Sequence, residues 1–190
     1  MLSEMLSIVV RYVGGFFVFM LLLRFHFQWL RVPFRNQLGE FVIATTRWMV
    51  TPARRLIPPL FGLDLASWLC AWLLQALVLA TLATLGGRDL AAAPGVATGI
   101  LAAQSFVDLI QYSLEILLVA VILQAVLSWV SPYNPLQPVL DTVTRPLLRP
   151  IRRFVPPIAN VDMSPVVLIL AIILLMVPLE QLRRSVAGLF

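Results

Sequence analysis

Of the 190 residues in this chain, 61% are hydrophobic and 12% are charged, and the mean hydropathy of +0.95 excludes an ordinary soluble domain. The net charge of +5 comes from arginine alone, since the chain has no lysine, and basic charge beside apolar segments indicates lipid contact rather than nucleic-acid binding. Cys70 is the single cysteine, which excludes a disulfide framework and a multi-cysteine metal site.

The first predicted element is a membrane-spanning helix over residues 5–29, whose most apolar part lies between Arg11 and Arg24. No small-x-small cleavage site follows it, so we expect a retained helix rather than a signal peptide. Arg24 is expected to extend to the membrane interface. His26 has two interpretations, an axial haem ligand or an interfacial histidine in an aromatic belt. The second is favoured, because a second axial ligand would have to be a methionine or come from another chain.

A shorter, more polar helix is predicted twice. Each copy has one stripe at helical spacing: Leu38, Phe41, Val42, Thr45 and Met49 in the first, and Leu136, Val139, Leu140, Val143 and Leu147 in the second. We place both helices along the membrane surface because they are too polar and too short to span it. Asn36 and Asn134 are the predicted N-caps, with Pro135 at the first helical position and Gln137 completing a capping box.

An Arg/Pro segment follows each of these helices. Residues 46–64 and 144–162 share eight identities at a constant offset of 98: Thr46/Thr144, Arg47/Arg145, Pro52/Pro150, Arg54/Arg152, Arg55/Arg153, Pro58/Pro156, Pro59/Pro157 and Asp64/Asp162. We interpret the chain as an internal duplication. The prolines are expected to make each segment a rigid frame at the interface. They are also expected to end the first surface helix at Pro52 and the second at Pro146.

The arginines of these segments have a binding and a structural interpretation. Guanidinium groups on a rigid frame can bind lipid phosphates or acidic side chains in a bidentate manner. The candidate lipid- or partner-binding residues are Arg47, Arg54, Arg55, Arg145, Arg149, Arg152 and Arg153. Alternatively, one arginine of each set bridges to the aspartate that ends the segment: Arg54 or Arg47 to Asp64, and Arg152 or Arg145 to Asp162. The predicted structural positions are Asn36, Asp64, Asn134, Pro135, Pro150 and Asp162.

Three more spanning helices are predicted, over residues 65–85, 104–129 and 165–182. Asp64 is expected to cap the first of them. Asp162 or Ser164 is expected to cap the last, with Pro165 at its first position. The domain prediction is therefore one repeat over residues 1–85, a linker over 86–102 and a second repeat over 103–190.

The third spanning helix begins with a polar stripe, Gln104, Asp108, Gln111 and Glu115. It either lines an ion path or lies on a wetted face that projects from the membrane. We expect the wetted face for Asp108 and leave Glu115 open. Further along, Gln124 aligns with Arg24 when Trp29 and Trp129 are matched, so both repeats place a polar group five residues before the tryptophan.

The predicted fold is an all-α membrane protein with four spanning helices, arranged as two parallel repeats of helix, surface helix and loop, and helix. Both Arg/Pro segments then share one membrane face, which carries ten arginines against four on the other. The positive-inside rule places these segments in the cytoplasm and both termini outside.

The motif that carries a family resemblance is Trp129, Asn134-Pro135, Thr144, Pro146, Leu148, Pro150, Arg152, Pro156, Asp162 and Ser164-Pro165. It resembles the YggT family of small integral membrane proteins. That resemblance implies roles in cell division, membrane organisation or osmotic and ion stress for bacterial members, and in the assembly of cytochrome b haem attachment for chloroplast members.

No catalytic motif is present in the sequence, so we expect a non-enzymatic protein without a cofactor. The leading hypothesis is an Arg/Pro platform that binds anionic lipids or an acidic membrane-protein partner, with self-association as a further option, and that helps to assemble or organise a membrane complex. The second hypothesis is a component of an ion or osmolyte transport system, with Arg24, Gln124 and Glu115 near the path.

Overall fold

The computed structural model describes residues 1–57, 62–131, 134–155 and 162–189, apart from the side chain of Trp129. Prolines 58, 59, 156 and 157, predicted to stiffen the Arg/Pro segments, lie outside the described residues. Within the described part of the chain there are six helices: α1 Leu2–Trp29, α2 Gln37–Leu56, α3 Leu65–Leu85, α4 Pro94–Val130, α5 Gln137–Phe154 and α6 Ser164–Ala187.

Four of the helices are long and apolar enough to cross a bilayer: α1, α3, α6 and residues Pro94–Ser128 of α4. The prediction of an all-α fold with four spanning helices is confirmed. The outward-facing hydrophobic residues of α6, for example, are exposed. They form an apolar surface that can contact lipid.

Two spanning helices, α4 and α6, extend by five or more residues beyond a predicted end. α4 begins at Pro94 rather than at Gln104, so the second half of the predicted linker is helical. Proline suits the first turn of a helix, and Ala97 and Leu101, four residues apart, are buried in the bundle and hold this extension. α6 continues past residue 182 to Ala187, supported by ion pairs within its last turns.

α2 and α5 each bury one stripe and expose their arginines. The buried residues of α2 are Gly39, Val42, Thr46 and Val50, and those of α5 are Val139, Leu140, Val143, Thr144 and Leu148. Both helices run through their prolines, so the predicted helix ends at Pro52 and Pro146 are wrong. The prolines lie on the exposed face, where the carbonyl groups that they leave unpaired can face water, while packing of the buried stripe keeps each helix intact.

A shared apolar cluster places α2 and α5 at the same end of the bundle. Phe27 at the end of α1 and Val32 after it pack with Ala120 of α4 and with Val139 and Val143 of α5. The start of α2 contributes to the same cluster. We call α2 and α5 together the Arg/Pro shelf.

α1 packs most extensively on α3, and α4 on α6, which are the equivalent pairs of the two repeats. Gly14 is essential to the first pair, because a Cβ there would lie 2.4 Å from Cγ2 of Val78. The main contact between the repeats is α3 against α4.

Candidate functional site

In the first repeat, a buried aspartate holds the last turn of α2 against the start of α3. Arg54 binds Asp64 with both ends of its guanidinium group, Nη2 at 2.6 Å from Oδ2 and Nε at 3.3 Å from Oδ1. Asp64 is only 1% exposed. It also accepts hydrogen bonds from the amide and hydroxyl groups of Ser67, at 3.3 and 2.5 Å, so it caps α3 as predicted. Burial raises the pKa of Asp64, but the bonds from Arg54 and Ser67 outweigh burial and hold that pKa below its ordinary value.

Arg24 joins this cluster from α1. Its Nη1 donates to the hydroxyl group of Thr46 at 2.9 Å, and its Nε lies 3.6 Å from Oδ2 of Asp64. Arg24 reaches toward the end of the bundle where the shelf lies, but it is 7% exposed and contacts protein groups there. A buried guanidinium needs a counter-charge, and Asp64 supplies it.

The second repeat has the same pairing of an arginine with an aspartate, but the net charge of the polar cluster around the pair is different. Arg152 Nε donates to Asp162 at 2.8 Å, and the same carboxylate accepts from the amide of Ser164 at 2.9 Å. Asp162 is less buried than Asp64, with a side chain 42% exposed. What burial it has raises its pKa, but the bonds from Ser164 and Arg152 prevail and leave the pKa below its ordinary value. One of the two predicted bridges therefore forms in each repeat, from Arg54 and from Arg152.

The predicted equivalence of Gln124 and Arg24 extends to their contacts. Gln124 accepts a hydrogen bond from Thr144, the equivalent of Thr46, and its amide donates to Asp141 at 2.5 Å. In the first repeat, the polar cluster beneath the shelf has two arginines and one aspartate: Arg24, Arg54 and Asp64. In the second repeat, the cluster has one arginine and two aspartates: Arg152, Asp141 and Asp162.

The other predicted arginines point away from the bundle. Arg47, Arg55, Arg145, Arg149 and Arg153 are exposed. Among the described residues, none of these five forms an ion pair or a side-chain hydrogen bond. The shelf therefore has two kinds of arginine: one of each repeat binds an aspartate, and the rest remain available to an anion.

Arg31, in the turn after α1, is a further cation beside the shelf and is not among the binding residues predicted from the sequence. It follows α1 in the left-handed conformation, with φ 56°. The amide of Arg31 bonds to the carbonyl of Gln28 at 3.2 Å, and the amide of Val32 to that of Phe27 at 2.8 Å. This is a Schellman motif, in which the left-handed position is usually glycine. The contact between Val32 and Phe27 completes the motif. The sequence Arg-Val-Pro does not indicate a left-handed residue, so the conformation of Arg31 could not be predicted from it.

One surface groove of about 400 Å³ collects arginines from both repeats. Arg31 lines it from the first repeat, and Arg145 and Arg149 line it from α5. Trp29 and Leu30 contribute apolar surface beside the three guanidinium groups. The groove is thus a cationic site with an apolar wall, at the end of the bundle where the shelf lies.

The predicted N-caps of α2 and α5 differ in outcome. Asn36 caps α2, with its Oδ1 2.8 Å from the amide of Gly39. Asn134 does not cap α5, which begins at Gln137, so Pro135 is in a turn and the capping box is wrong. Asn134 Oδ1 instead accepts from the amide of Leu136 at 2.9 Å and forms that turn. In this way Pro138, not Pro135, occupies the first turn of the helix.

At the start of α6, Met163 occupies the N-cap position and Ser164 the first helical position, so Pro165 comes second. Asp162 nevertheless accepts from the amide of Ser164, as described above. Pro150, predicted as a structural position, lies inside α5 rather than in a loop.

The residues of the alternative hypotheses lie apart from one another. Arg24 and Gln124 belong to separate polar clusters, and Glu115 accepts from Gln111 within its own helix at 3.2 Å. His26 is buried, and its Nδ1 donates to the carbonyl oxygen of Leu22 at 2.8 Å. Its ring packs against Phe25 and Trp29, two of its predicted aromatic neighbours. Asp108 is likewise buried rather than wetted, at 3% exposure.

Comparison with known proteins gives a family match that extends over most of the chain. The model of the CCB3/YggT family matches residues 3–85 and 103–182. A Pseudomonas aeruginosa protein named "Uncharacterized protein PA0392" is 32% identical over 168 residues, which cover 86% of this chain and 82% of the relative. "Uncharacterized protein YggT" of Escherichia coli strain K12 is 29% identical over 192 residues, covering 99% of this chain and 94% of that protein. No solved structure matches the chain.

Proposed function

This chain belongs to the CCB3/YggT family, and we propose that it is a non-enzymatic integral membrane protein whose Arg/Pro shelf binds the phosphate groups of anionic lipids. The observation that carries the proposal is the groove of Arg31, Arg145 and Arg149. All three side chains are exposed, and among the described residues none of them has a carboxylate partner.

The chemistry of the groove fits an amphipathic anion. Guanidinium groups bind phosphate oxygens through parallel hydrogen bonds. Trp29 and Leu30 offer apolar surface next to the cations, where the first carbons of an acyl chain would lie. A tryptophan is also a preferred side chain at the level of lipid headgroups. A free inorganic anion would leave that apolar wall unused.

The backbone of Arg31 supports a binding role. A non-glycine residue in the left-handed region costs about 1–2 kcal/mol, and glycine would complete the same Schellman motif without that cost. A strained residue at an otherwise ordinary helix end is typical of a functional position. The side chain, rather than the turn, is then the reason for an arginine here.

The bracing arginines have a different part in the proposal. Arg54 and Arg152 fix the shelf to α3 and α6 through Asp64 and Asp162. They keep the exposed arginines in a fixed arrangement and are not themselves the main lipid ligands. Arg47, Arg55 and Arg153 add general attraction to an anionic surface, worth about 1 kcal/mol for each arginine near it.

In the cell, the shelf would lie on the cytoplasmic face of the bacterial inner membrane, because ten of the 14 arginines belong to that end of the predicted topology. A protein held there by anionic lipids is suited to organising or assembling a membrane complex. An acidic partner protein that used the same arginines is the alternative that the following experiment separates.

The experiment measures the binding of defined lipids to the purified full chain in detergent. Phosphatidylglycerol and phosphatidylcholine with the same acyl chains are titrated, and bound lipid is counted by native mass spectrometry. We expect phosphatidylglycerol to bind more tightly, and Arg149→Gln to weaken it about fivefold, since one arginine is worth about 1 kcal/mol. The matched control is Arg184→Gln, which changes the net charge equally at the other end of the bundle, where Arg184 pairs with Glu180.

Equal binding of the two lipids, or equal losses in the two variants, would refute the lipid proposal. If an acidic protein that co-purifies in native membranes is lost only in Arg149→Gln while the lipids bind alike, the acidic partner is the correct alternative.

A further inference from the structure

A second polar site lies at the opposite end of the bundle from the shelf. A cavity of about 420 Å³ opens between α1, α3, α4 and α6. This volume lies within the range of small-ligand pockets. Gln75 and Asp108 line its inner part, and Arg11, Arg88 and Arg183 also line it.

The inner part of the cavity contains two acceptor oxygens without a hydrogen-bond donor. Gln75 and Asp108 are each 3% exposed. The amide of Gln75 donates to Oδ2 of Asp108 at 2.6 Å, while Oε1 of Gln75 and Oδ1 of Asp108 accept no hydrogen bond. Nε of Arg183 lies 3.2 Å from that Oδ1, close enough for an ion pair, but it is not aligned for a hydrogen bond. Buried acceptors of this kind are rare in proteins unless a donor is bound to them.

The outer part of the cavity is cationic. Arg11 and Arg88 are exposed on its rim. Arg183 is shared between Asp108 and Glu180, whose Oε2 lies 3.3 Å from Nη1 of Arg183. The cavity therefore offers acceptors inside and positive charge outside.

The polar pair of Gln75 and Asp108 does not recur in the two repeats. The residue that aligns with Gln75 in the second repeat is Ile173, and the residue that aligns with Asp108 in the first repeat is Ile8. The polar pair exists once, at the contact between α3 and α4 where the repeats meet. A feature needed only for the fold of a repeat would be expected in both copies.

We infer that this cavity binds a zwitterion that carries a primary ammonium group and a phosphate group. The ammonium group would donate its N–H bonds to Gln75 Oε1 and Asp108 Oδ1, and the phosphate would lie among the rim arginines. A quaternary ammonium group has no N–H bond to donate, so the site discriminates phosphoethanolamine from phosphocholine chemistry. The zwitterion is either the headgroup of phosphatidylethanolamine or soluble O-phosphoethanolamine.

The test uses the full chain in detergent with three probes. These are phosphatidylethanolamine, phosphatidylcholine with the same acyl chains, and O-phosphoethanolamine, and bound probe is measured by native mass spectrometry. We expect phosphatidylethanolamine or O-phosphoethanolamine to bind on the order of tenfold more tightly than phosphatidylcholine, the effect of a charge-assisted hydrogen bond. Preference for the lipid identifies a headgroup site, and binding of the soluble compound identifies a solute site.

Two variants keep the test informative. Asp108→Asn keeps the shape of the side chain and removes the charge, so it should abolish the preference. Gly15→Leu should fill part of the cavity from α1, because Gly15 lines it and a Cβ there meets no atom within 4 Å. The matched control is Glu115→Gln, a carboxylate of the same helix outside this lining, which should leave the preference intact. No preference in the parent protein, or a preference that survives both cavity variants, would overturn the inference.

Discussion

Replacing Arg31 tests separately the energetic cost of its left-handed backbone conformation and the contribution of its side chain to lipid binding. At φ 56°, an L-residue costs about 1–2 kcal/mol relative to the right-handed region. Glycine removes that cost but loses more backbone entropy on folding, about 0.5–1 kcal/mol. The net gain expected for Arg31→Gly is about 0.5–1 kcal/mol, which for a chain of this size raises the melting temperature by about 1–4 °C.

The same substitution should weaken phosphatidylglycerol binding about fivefold, because it removes one of three groove arginines. Arg31→Ala provides the control, since it removes the charge without relieving the strain, and Arg31→Lys retains both charge and strain. The assay combines thermal unfolding in detergent with the lipid titration described above. A lower melting temperature for Arg31→Gly would show that the backbone at this position is not strained. Unchanged binding of the anionic lipid would show that Arg31 is not one of its ligands.

The remaining predictions concern the fold. Asp64→Asn should destabilise the protein by about 3–5 kcal/mol, since it leaves a buried guanidinium group without a counter-charge. Asp162→Asn should cost about 0–1 kcal/mol, because that ion pair is half exposed. Unfolding in a denaturing detergent gives both values, and equal losses would contradict the difference in burial. Because the pKa of each carboxyl group is lowered in the folded protein, the stability that they contribute is complete above the unfolded pKa near about 4 and falls as the pH drops through the lower folded pKa. The melting temperature should therefore fall below about pH 4, and less steeply in Asp64→Asn; identical acid profiles would count against this. Gly14→Ala should disrupt the packing of α1 on α3 by its clash with Val78, whereas Gly15→Ala should be neutral or stabilising by up to about 1 kcal/mol, as its Cβ meets open space; similar melting temperatures for the two variants would contradict the packing described.

Hydrophobic length and duplication made much of the fold predictable. A bilayer imposes a minimum length on every spanning helix, so the four apolar segments were recognisable from composition. The offset of 98 also restricted each bracing pair to two choices, Arg47 or Arg54 with Asp64 and Arg145 or Arg152 with Asp162. The structure selects Arg54 and Arg152. The repeat boundaries at residues 85 and 103 and the membrane sidedness stay predictions.

Helix boundaries near proline were less predictable. Local rules end a helix before proline, but the buried stripes of α2 and α5 stabilise helices that contain Pro52, Pro146 and Pro150. Tertiary packing therefore outweighed local propensity, as it often does.

The environment of a single polar residue also depends on a distant segment. Asp108 has Gln75 33 positions away as its partner and Arg183 at the far end of the chain. A polar stripe on one helix does not contain that information. The groove likewise needed Arg31, which lies more than a hundred positions before Arg145, and whose conformation follows from the end of α1.

We infer that the two halves of the Arg/Pro shelf, α2 and α5, lie on the same membrane surface. Arg55→Cys and Arg153→Cys, which are equivalent exposed positions, can be introduced singly with Cys70 replaced by alanine, and probed in intact bacterial cells with a maleimide that does not cross the membrane. We expect that neither cysteine reacts in intact cells and that both react once the inner membrane is opened. Reaction of one cysteine from outside and of the other only from inside would contradict it.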